Sequence, residues 1–358
     1  MRQTEVCIIG GGPAGLTAAL KAAGLGAEVT LIDRNDYLGG QLIKQTHRFF
    51  GSKEQRASER GINIARELAE AVEKEDKITV LTKAAALSYY KDGVVMVKQN
   101  ERIIKIKPQK LIVATGGSEK NLMFPNNDLP GVYGAGAVQT LVNVYGVKPG
   151  RKVLMVGAGN IGVIVSYQLL QAGVDVVGII EAAPKIGAYW VHASKVVRAG
   201  VPIYASHTIK RAWGEKEVAG ATIMKLDEKW QPVPGTEKEL DVDVICLSVG
   251  LSPLTELLWQ AGCKMEFIPE LGGHVPVRNE DLETSQPGIY IAGDAAGIEE
   301  ASAAMMEGAL AGLNAAEAMG YKVSDFKEQK EVVMKELNGL RSGPVGEKIR
   351  KGLAKAIS

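Results

Sequence analysis

The stretch Gly10-Gly11-Gly12-Pro13-Ala14-Gly15 decides the fold. It follows the apolar run Val6-Cys7-Ile8-Ile9 and precedes Leu16-Thr17-Ala18-Ala19-Leu20-Lys21-Ala22-Ala23. That order reads as a buried strand, a glycine turn and a helix. Gly10 permits the tight turn, Gly12 lets backbone approach a pyrophosphate, and Gly15 lets helix and strand pack closely. The pyrophosphate would rest on the helix N-terminus beside Pro13 and Ala14, where free N–H groups and the helix dipole favour an anion. Val29-Thr30-Leu31-Ile32 reads as the next strand and ends at Asp33-Arg34. An acid about 20 residues past the turn is where a ribose 2′-hydroxyl needs an acceptor.

One such turn is weak evidence, but the chain repeats the whole device. Val153-Leu154-Met155-Val156 leads into Gly157-Ala158-Gly159-Asn160-Ile161-Gly162, and a helix-like run continues to Ala172. Val176-Val177-Gly178-Ile179-Ile180 then ends at Glu181. Two complete copies predict an α/β protein with two Rossmann-like domains.

Composition sets the outer limits. The 358 residues leave room for two domains and a sizeable core. Hydrophobic residues make up 46% and charged residues 23%, the profile of a globular protein. A net charge of +1 gives no basic field for nucleic acid or an anionic membrane. The apolar stretch 6–23 is broken by glycines, a proline and Lys21, which argues against a membrane span or a signal peptide and predicts a cytoplasmic chain. Cys7, Cys246 and Cys263 are far apart, and two of them sit in strand-like runs, so buried reduced thiols are expected. No CxxC or Cys/His cluster appears, so no metal or iron–sulfur site is expected.

Outward from the first turn, Tyr37-Leu38-Gly39-Gly40-Gln41-Leu42 offers a double glycine where backbone can pass a ligand. Lys44 to Ser52, with His47, Phe49 and Phe50, lines a flavin edge or a partner surface, or is a loop whose phenylalanines enter the core. Gly61–Val72 predicts an amphipathic helix. Ile78–Leu81, Ala85–Tyr89, Val94–Val97 and Ile103–Ile106 predict short strands, with a hairpin at Lys91-Asp92-Gly93. Leu111 to Ala114 is a buried strand ending at Thr115-Gly116-Gly117. The proline- and glycine-containing stretch 122–150 reads as a crossover between domains. In the second copy, 188–199 reads as a helix and 218–235 as part of a meander. Gly288 to Asp294 is a strand ending in Gly293-Asp294, followed by an alanine-rich helix from Glu300 to Met319 with Gly308 and Gly312 inside it. The tail carries an amphipathic segment, 325–337, and a basic helix near 347–356.

With these motifs in view, the chain resembles the flavoproteins with two dinucleotide-binding domains, such as thioredoxin reductase, glutathione reductase and NADH-dependent ferredoxin reductases. The resemblance covers residues 5–320. It implies a second domain inserted into the first, each with a β-meander: an FAD domain of 1–125 and 270–358, and an NAD(H) domain of 126–269. Carried over, Gly10, Gly12, Pro13, Ala14 and Gly15 would face the FAD pyrophosphate, with Asp33 and Arg34 near the adenosine ribose. Gly40, Gln41 and Leu42 would pass near the flavin. Ala114, Thr115 and Gly116 would hold the returning strand near FAD, and Gly293 and Asp294 its ribityl or pyrophosphate portion. Gly157, Gly159, Asn160, Ile161, Gly162 and Glu181 would hold a pyridine nucleotide. An acid at 181 favours NAD(H) over NADP.

The departures narrow the activity. Where related enzymes carry a redox cysteine after the double glycine, Gln41 and Leu42 stand; where others carry CxxC, residues 134–150 contain no cysteine. Disulfide exchange is therefore not expected. The stretches LGGQLIKQTHRFFGS, DLPGVYGAGAVQTLVNVYGVKPG and LRSGPVGEKI are similar to the alpha subunits of heteromeric sarcosine oxidase and of proline, hydroxyproline and opine dehydrogenases. This implies an electron-relaying subunit with a glycine-oxidase-like flavoprotein partner that oxidises the amine, and an iron–sulfur relay on another polypeptide. Hydride would pass between nicotinamide and flavin, and no general acid or base is required; His47, Glu299 and Glu300 are the polar candidates. Two alternatives stay open: a stand-alone NADH:acceptor reductase for ferredoxin, a quinone or oxygen, and a non-catalytic subunit whose second site holds ATP.

Overall fold

The computed structural model describes residues 1–321, 323–344 and 346–357; Val345 of the LRSGPVGEKI stretch, Lys322 and Ser358 lie outside the described residues. The chain packs into two compact units, one of residues 1–118 with 251–358 and one of 119–250. These divisions fall earlier than the 125/126 and 269/270 expected above. Lys120 N–H already donates to the Gly250 carbonyl (2.9 Å), which closes the inserted unit at its neck. Beyond Gly250, Leu257, Leu258 and Cys263 enter the core of the first unit with Ile9 and Ile32.

The first unit begins with β1 (Arg2–Ile9), α1 (Pro13–Gly24), β2 (Val29–Ile32), α2 (Gly61–Lys74), β3 (Ile78–Leu81), β4 (Ala84–Tyr89), β5 (Val95–Gln99) and β6 (Arg102–Val113). The two strands expected at 103–106 and 111–114 are one continuous strand across Pro108. Pro108 lies after the β5 pairing ends at Ile106 and before another strand pairs from Leu111. On that flank the sheet has no ladder for a proline to interrupt.

The short β7 (Gly117–Glu119) leads to the inserted unit: β8 (Val132–Gly134), α3 (Ala135–Asn143), β9 (Lys152–Val156), α4 (Asn160–Gln171), β10 (Asp175–Glu181), α5 (Trp190–Arg198), β11 (Ile203–Ala205), β12 (His207–Trp213), β13 (Gly220–Lys225), β14 (Lys238–Leu240) and β15 (Val244–Leu247). The expected crossover at 122–150 in fact contributes β8 and α3 to this unit. Its turn residues bracket a short apolar run, and the buried Gln139 of α3 donates to Gln168 of α4 (3.0 Å). The parallel order is β11-β10-β9-β15-β8, and β12-β13-β14 form an antiparallel meander.

The chain returns with β16 (Leu251–Pro253), α6 (Glu256–Gln260), β17 (Met265–Ile268), β18 (Gly273–Pro276), β19 (Ile289–Ile291), α7 (Ala301–Glu317), α8 (Phe326–Leu340) and α9 (Glu347–Ala356). In the first unit β3-β2-β1-β6 run parallel, β19 joins β6 in parallel, and β5 and β4 continue antiparallel as a meander. Helix α7 lies against α1 at backbone contact distance. A Cβ on Gly308 would stand 2.0 Å from the Ala14 carbonyl, and one on Gly312 2.3 Å from that of Ala18. Thr17 Oγ1 donates across to the Met305 carbonyl (2.9 Å).

Candidate functional site: two nucleotide turns

Each parallel sheet ends in a glycine turn at the carboxyl edge of its central strand, the edge where open α/β sheets bind ligands. In the first unit Gly10 has φ +111°, and a Cβ there would lie 2.1 Å from the Ala114 carbonyl oxygen. A Cβ on Gly15 would lie 1.7 Å from the Gly10 carbonyl oxygen. In the second unit Gly157 has φ +108° with Ser248 O at 2.1 Å, and Gly162 meets Gly157 O at 2.1 Å. These four glycines are required by the protein's own packing.

Gly12 and Gly159 are different. Their φ values of −82° and −76° suit any residue. The nearest atom to a Cβ on Gly12 is Gly40 Cα at 3.8 Å, and nothing lies within 4 Å of one on Gly159. Neither conformation nor internal contact calls for glycine here. What the missing side chain leaves is open space at a helix N-terminus. Neither α1 nor α4 has an acidic residue in its first turn or a side-chain cap, so the N-terminal amides and the positive end of the dipole stay uncompensated. Both turns fit a diphosphate.

The acids after the second strands do a job that spacing alone does not reveal. Asp33 is buried; its Oδ2 accepts the Gly11 N–H (2.6 Å) and its Oδ1 the Asn35 N–H (2.8 Å). Glu181 repeats this: Oε2 accepts Ala158 N–H (2.8 Å) and Oε1 accepts Ala183 N–H (2.9 Å). Each acid locks its own turn and keeps lone pairs for a further donor. A second lock follows. Gly39 N–H donates to Gly11 O (2.8 Å), and Gly187 N–H to Ala158 O (3.2 Å). The equivalence of Gly39 and Gly187 is visible only in three dimensions.

The first unit gathers further residues around its turn. Gly40 has φ +52° and closes on Gly12, its own Cβ position 2.7 Å from Gly12 Cα. Leu42 is fully buried, and Gln41 is exposed. Thr115 Oγ1 donates to the Leu254 carbonyl (2.6 Å), and Gly116 has φ +78° with open space around it. A Cβ on Gly293 would lie 2.9 Å from the Ala14 Cβ, and one on Gly117 3.5 Å from the Asp294 Cβ. Thus Gly10, Gly12, Ala14, Gly40, Thr115 and Asp294 converge. Burial pushes the Asp294 carboxyl up to about 7, with Glu307 and Glu299 adding in the same direction and the Glu299 N–H opposing.

Behind Asp294 lies a buried ion network. Glu307 Oε2 accepts the Gly293 N–H (2.9 Å), and its Oε1 accepts from Arg341 (2.5 Å) and, at 3.5 Å, from Arg278. Arg341 also grips Glu299 through Nε (3.0 Å), and Arg278 donates to the Ala296 carbonyl (2.7 Å). Glu299 is therefore engaged structurally. Glu300 is exposed at the start of α7, and His47 stacks on the buried Phe49 ring (centroids 5.8 Å apart) while Phe50 is exposed. Arg34 is exposed next to Asp33.

The three cysteines are free and buried. Burial pushes the Cys7 thiol up to about 12 and raises those of Cys246 and Cys263. None has thiolate character. Among the described residues, no helix is long and apolar enough to cross a membrane.

Residues 4–308 match the family profile described as pyridine nucleotide-disulphide oxidoreductase. Over 332 residues the chain is 29% identical to an opine oxidase subunit of Agrobacterium tumefaciens (strain Ach5), covering 87% of this chain and 65% of that protein. It is 27% identical over 319 residues to the alpha subunit of sarcosine oxidase from Rhizobium meliloti (strain 1021), covering 85% and 30%. The chain thus spans less than two thirds of these curated relatives. Among solved structures, L-proline dehydrogenase from P. horikoshii matches with a TM-score of 0.70 and 25% identity, over 93% of this chain and 59% of that one. Thioredoxin reductase of T. acidophilum matches with a TM-score of 0.74 and 23% identity, over 89% and 99%, a likeness of fold.

Proposed function

The chain belongs to the pyridine nucleotide-disulphide oxidoreductase family, and from that premise we propose that it binds FAD in the first unit and NAD(H) in the second, as the nucleotide-carrying subunit of an amino-acid or amine dehydrogenase. It is an FAD-dependent oxidoreductase without a redox-active disulfide. The observation that carries the assignment of two sites is the paired opening at Gly12 and Gly159, each glycine free of any internal demand.

When bound, the flavin supplies two-electron chemistry to which the pyridine nucleotide contributes hydride. This chain's part is binding and electrostatics. The amides of each turn hold a diphosphate. Asp33 and Glu181 accept from ribose hydroxyls on their remaining lone pairs, and the charge of Glu181 repels a 2′-phosphate, which supports NAD(H) over NADP. Asp294, whose carboxyl burial pushes up to about 7, is partly protonated at neutral pH and in that form can donate to a ribityl or phosphate oxygen. Thr115, tied to Leu254, fixes the turn beside it.

The relatives named above as subunits support an assembled role. A glycine-oxidase-like flavoprotein partner would oxidise a sarcosine-, proline-, hydroxyproline- or opine-type amine, and an iron–sulfur polypeptide would relay electrons onward. The test is purification from the native host, identification of co-eluting chains and released nucleotides, and anaerobic titration with NADH. The expected result is bound FAD, bleaching by NADH and a co-eluting flavoprotein. FAD that NADH does not bleach would sink the NAD(H) assignment, and a fully active lone chain would sink the proposed role within a complex.

A further inference from the structure

The segment between Glu181 and α5 ends in an exposed aromatic that nothing in the inserted unit covers. Trp190, the first residue of α5, is 79% exposed, and Val191 and Ile161 beside the same turn are 46% and 42% exposed. One exposed apolar residue needs no explanation; its place beside the turn gives this one its interest.

Backbone bonds fix this segment to the turn. Gly187 and Ala188 N–H both donate to the Ala158 carbonyl (3.2 and 3.0 Å), and Tyr189 N–H donates to Asn160 Oδ1 (2.9 Å). A Cβ on Gly187 would stand 3.9 Å from Gly159 Cα. The chain thus runs along the open side of the cradle and reaches Trp190 one residue later. In a Rossmann unit the acid ending the second strand takes the adenosine ribose. The segment that follows the acid leads to Trp190.

We propose that Trp190 is the stacking platform for the adenine base of the nucleotide held at Gly157–Gly162. This rests on the reading of the second turn as a nucleotide site. The chemistry it recognises, an adenosine with a 5′-diphosphate, is shared by NAD(H) and ATP. An indole face in water gains by covering a π-face, and such stacks are sequence- and cofactor-tolerant.

The experiment compares the full chain with Trp190→Ala and Trp190→Phe, titrating ADP, NADH, ATP and inorganic pyrophosphate by calorimetry and tryptophan fluorescence. Trp190→Ala is expected to weaken ADP binding about tenfold or more, with Trp190→Phe within about threefold and pyrophosphate unchanged. ADP should quench wild-type fluorescence and lose most of that quench in Trp190→Phe. Whether wild type binds NADH or ATP more tightly identifies the resident nucleotide, and Trp190→Ala should weaken both by a similar factor. Unchanged ADP affinity in Trp190→Ala overturns the proposal while leaving the nucleotide site standing, and points to a protein partner on this face. Equal weakening of ADP and pyrophosphate also overturns it, since the turn itself is then damaged. No binding of any adenine nucleotide to wild type removes both the site and the platform.

Discussion

The two glycine turns share their backbone bonds almost atom for atom, yet their surroundings differ. In the first unit, Gly40 closes on Gly12, Asp294 and Gly293 come in beside Ala14, and α7 presses on α1. A Cβ on Gly11 would meet Leu38 Cδ2 at 2.6 Å, whereas the matching place in the second unit is the buried Ala158. In the second unit the cradle is bordered by exposed Trp190 and Ile161. Both turns leave open space at the helix N-terminus, but the first has more of its own unit gathered around it. The lesson is that affinity and exchange rate are set by what lies around the turn, since the turn is common to both. A turn with more of its own unit around it suits a cofactor kept through turnover; a turn with fewer neighbours suits a nucleotide that comes and goes.

The comparison breaks first at its most buried point. Arg341→Ala leaves Glu299 without its cation and Glu307 with one fewer, and should cost about 3 kcal/mol or more in unfolding free energy, with flavin loss from the first unit alone. Chemical denaturation with flavin release as a second signal checks this. Asp33→Asn and Glu181→Gln should each cost about 1.5–3 kcal/mol, because a charged acceptor of two amides is replaced by a neutral one. If the turns are equivalent locks, the two losses should agree within about 1 kcal/mol.

Asp294→Asn tests the first turn by pH. Its folded pKa lies above the unfolded 3.8, so the protonated carboxyl is favoured in the fold. That contribution is complete below about pH 3.8 and is lost as pH rises through about 7. The cofactor-free Asn variant should therefore gain on wild type from pH 4 to 7, by about 1 kcal/mol or more, and the gain should level off above that. Thermal melts across pH report it. The smallest effect on stability is expected from Gly12→Ala and Gly159→Ala, within about 0.5 kcal/mol. Their binding should separate cleanly: the first loses FAD retention, the second loses pyridine nucleotide and keeps FAD.

The parts of this molecule legible from its residues are those written locally. Both turns, both flanking strands, the acids and the helix of residues 347–356 follow from periodicity and glycine spacing. The strand through Pro108 was not legible, because its tolerance depends on partners that start and stop elsewhere in the sheet. Nor was α3, whose short apolar run between turn residues looks like a linker until Gln139 meets Gln168. Arg278, Glu299, Glu307 and Arg341 carry no shared local signal. They form a network only because α7, α8 and the chain after β18 converge. The locking role of Asp33 could have been suspected: an acid at the same place in two copies is as well explained by the turn as by the ligand.

The packing of Gly308 and Gly312 onto Ala14 and Ala18 also has a consequence for synthesis. The helix that seals the first turn leaves the ribosome after the whole of residues 119–250, so the inserted unit is contiguous and can finish first. The first unit must wait, its opening helix exposed, until its closing helix is made. Limited proteolysis of stalled nascent chains should find the inserted unit protected early and α1 protected last; α1 protected before α7 has emerged would contradict this order. Flavin loading then waits on α7, a step that joins two segments made before and after the whole inserted unit.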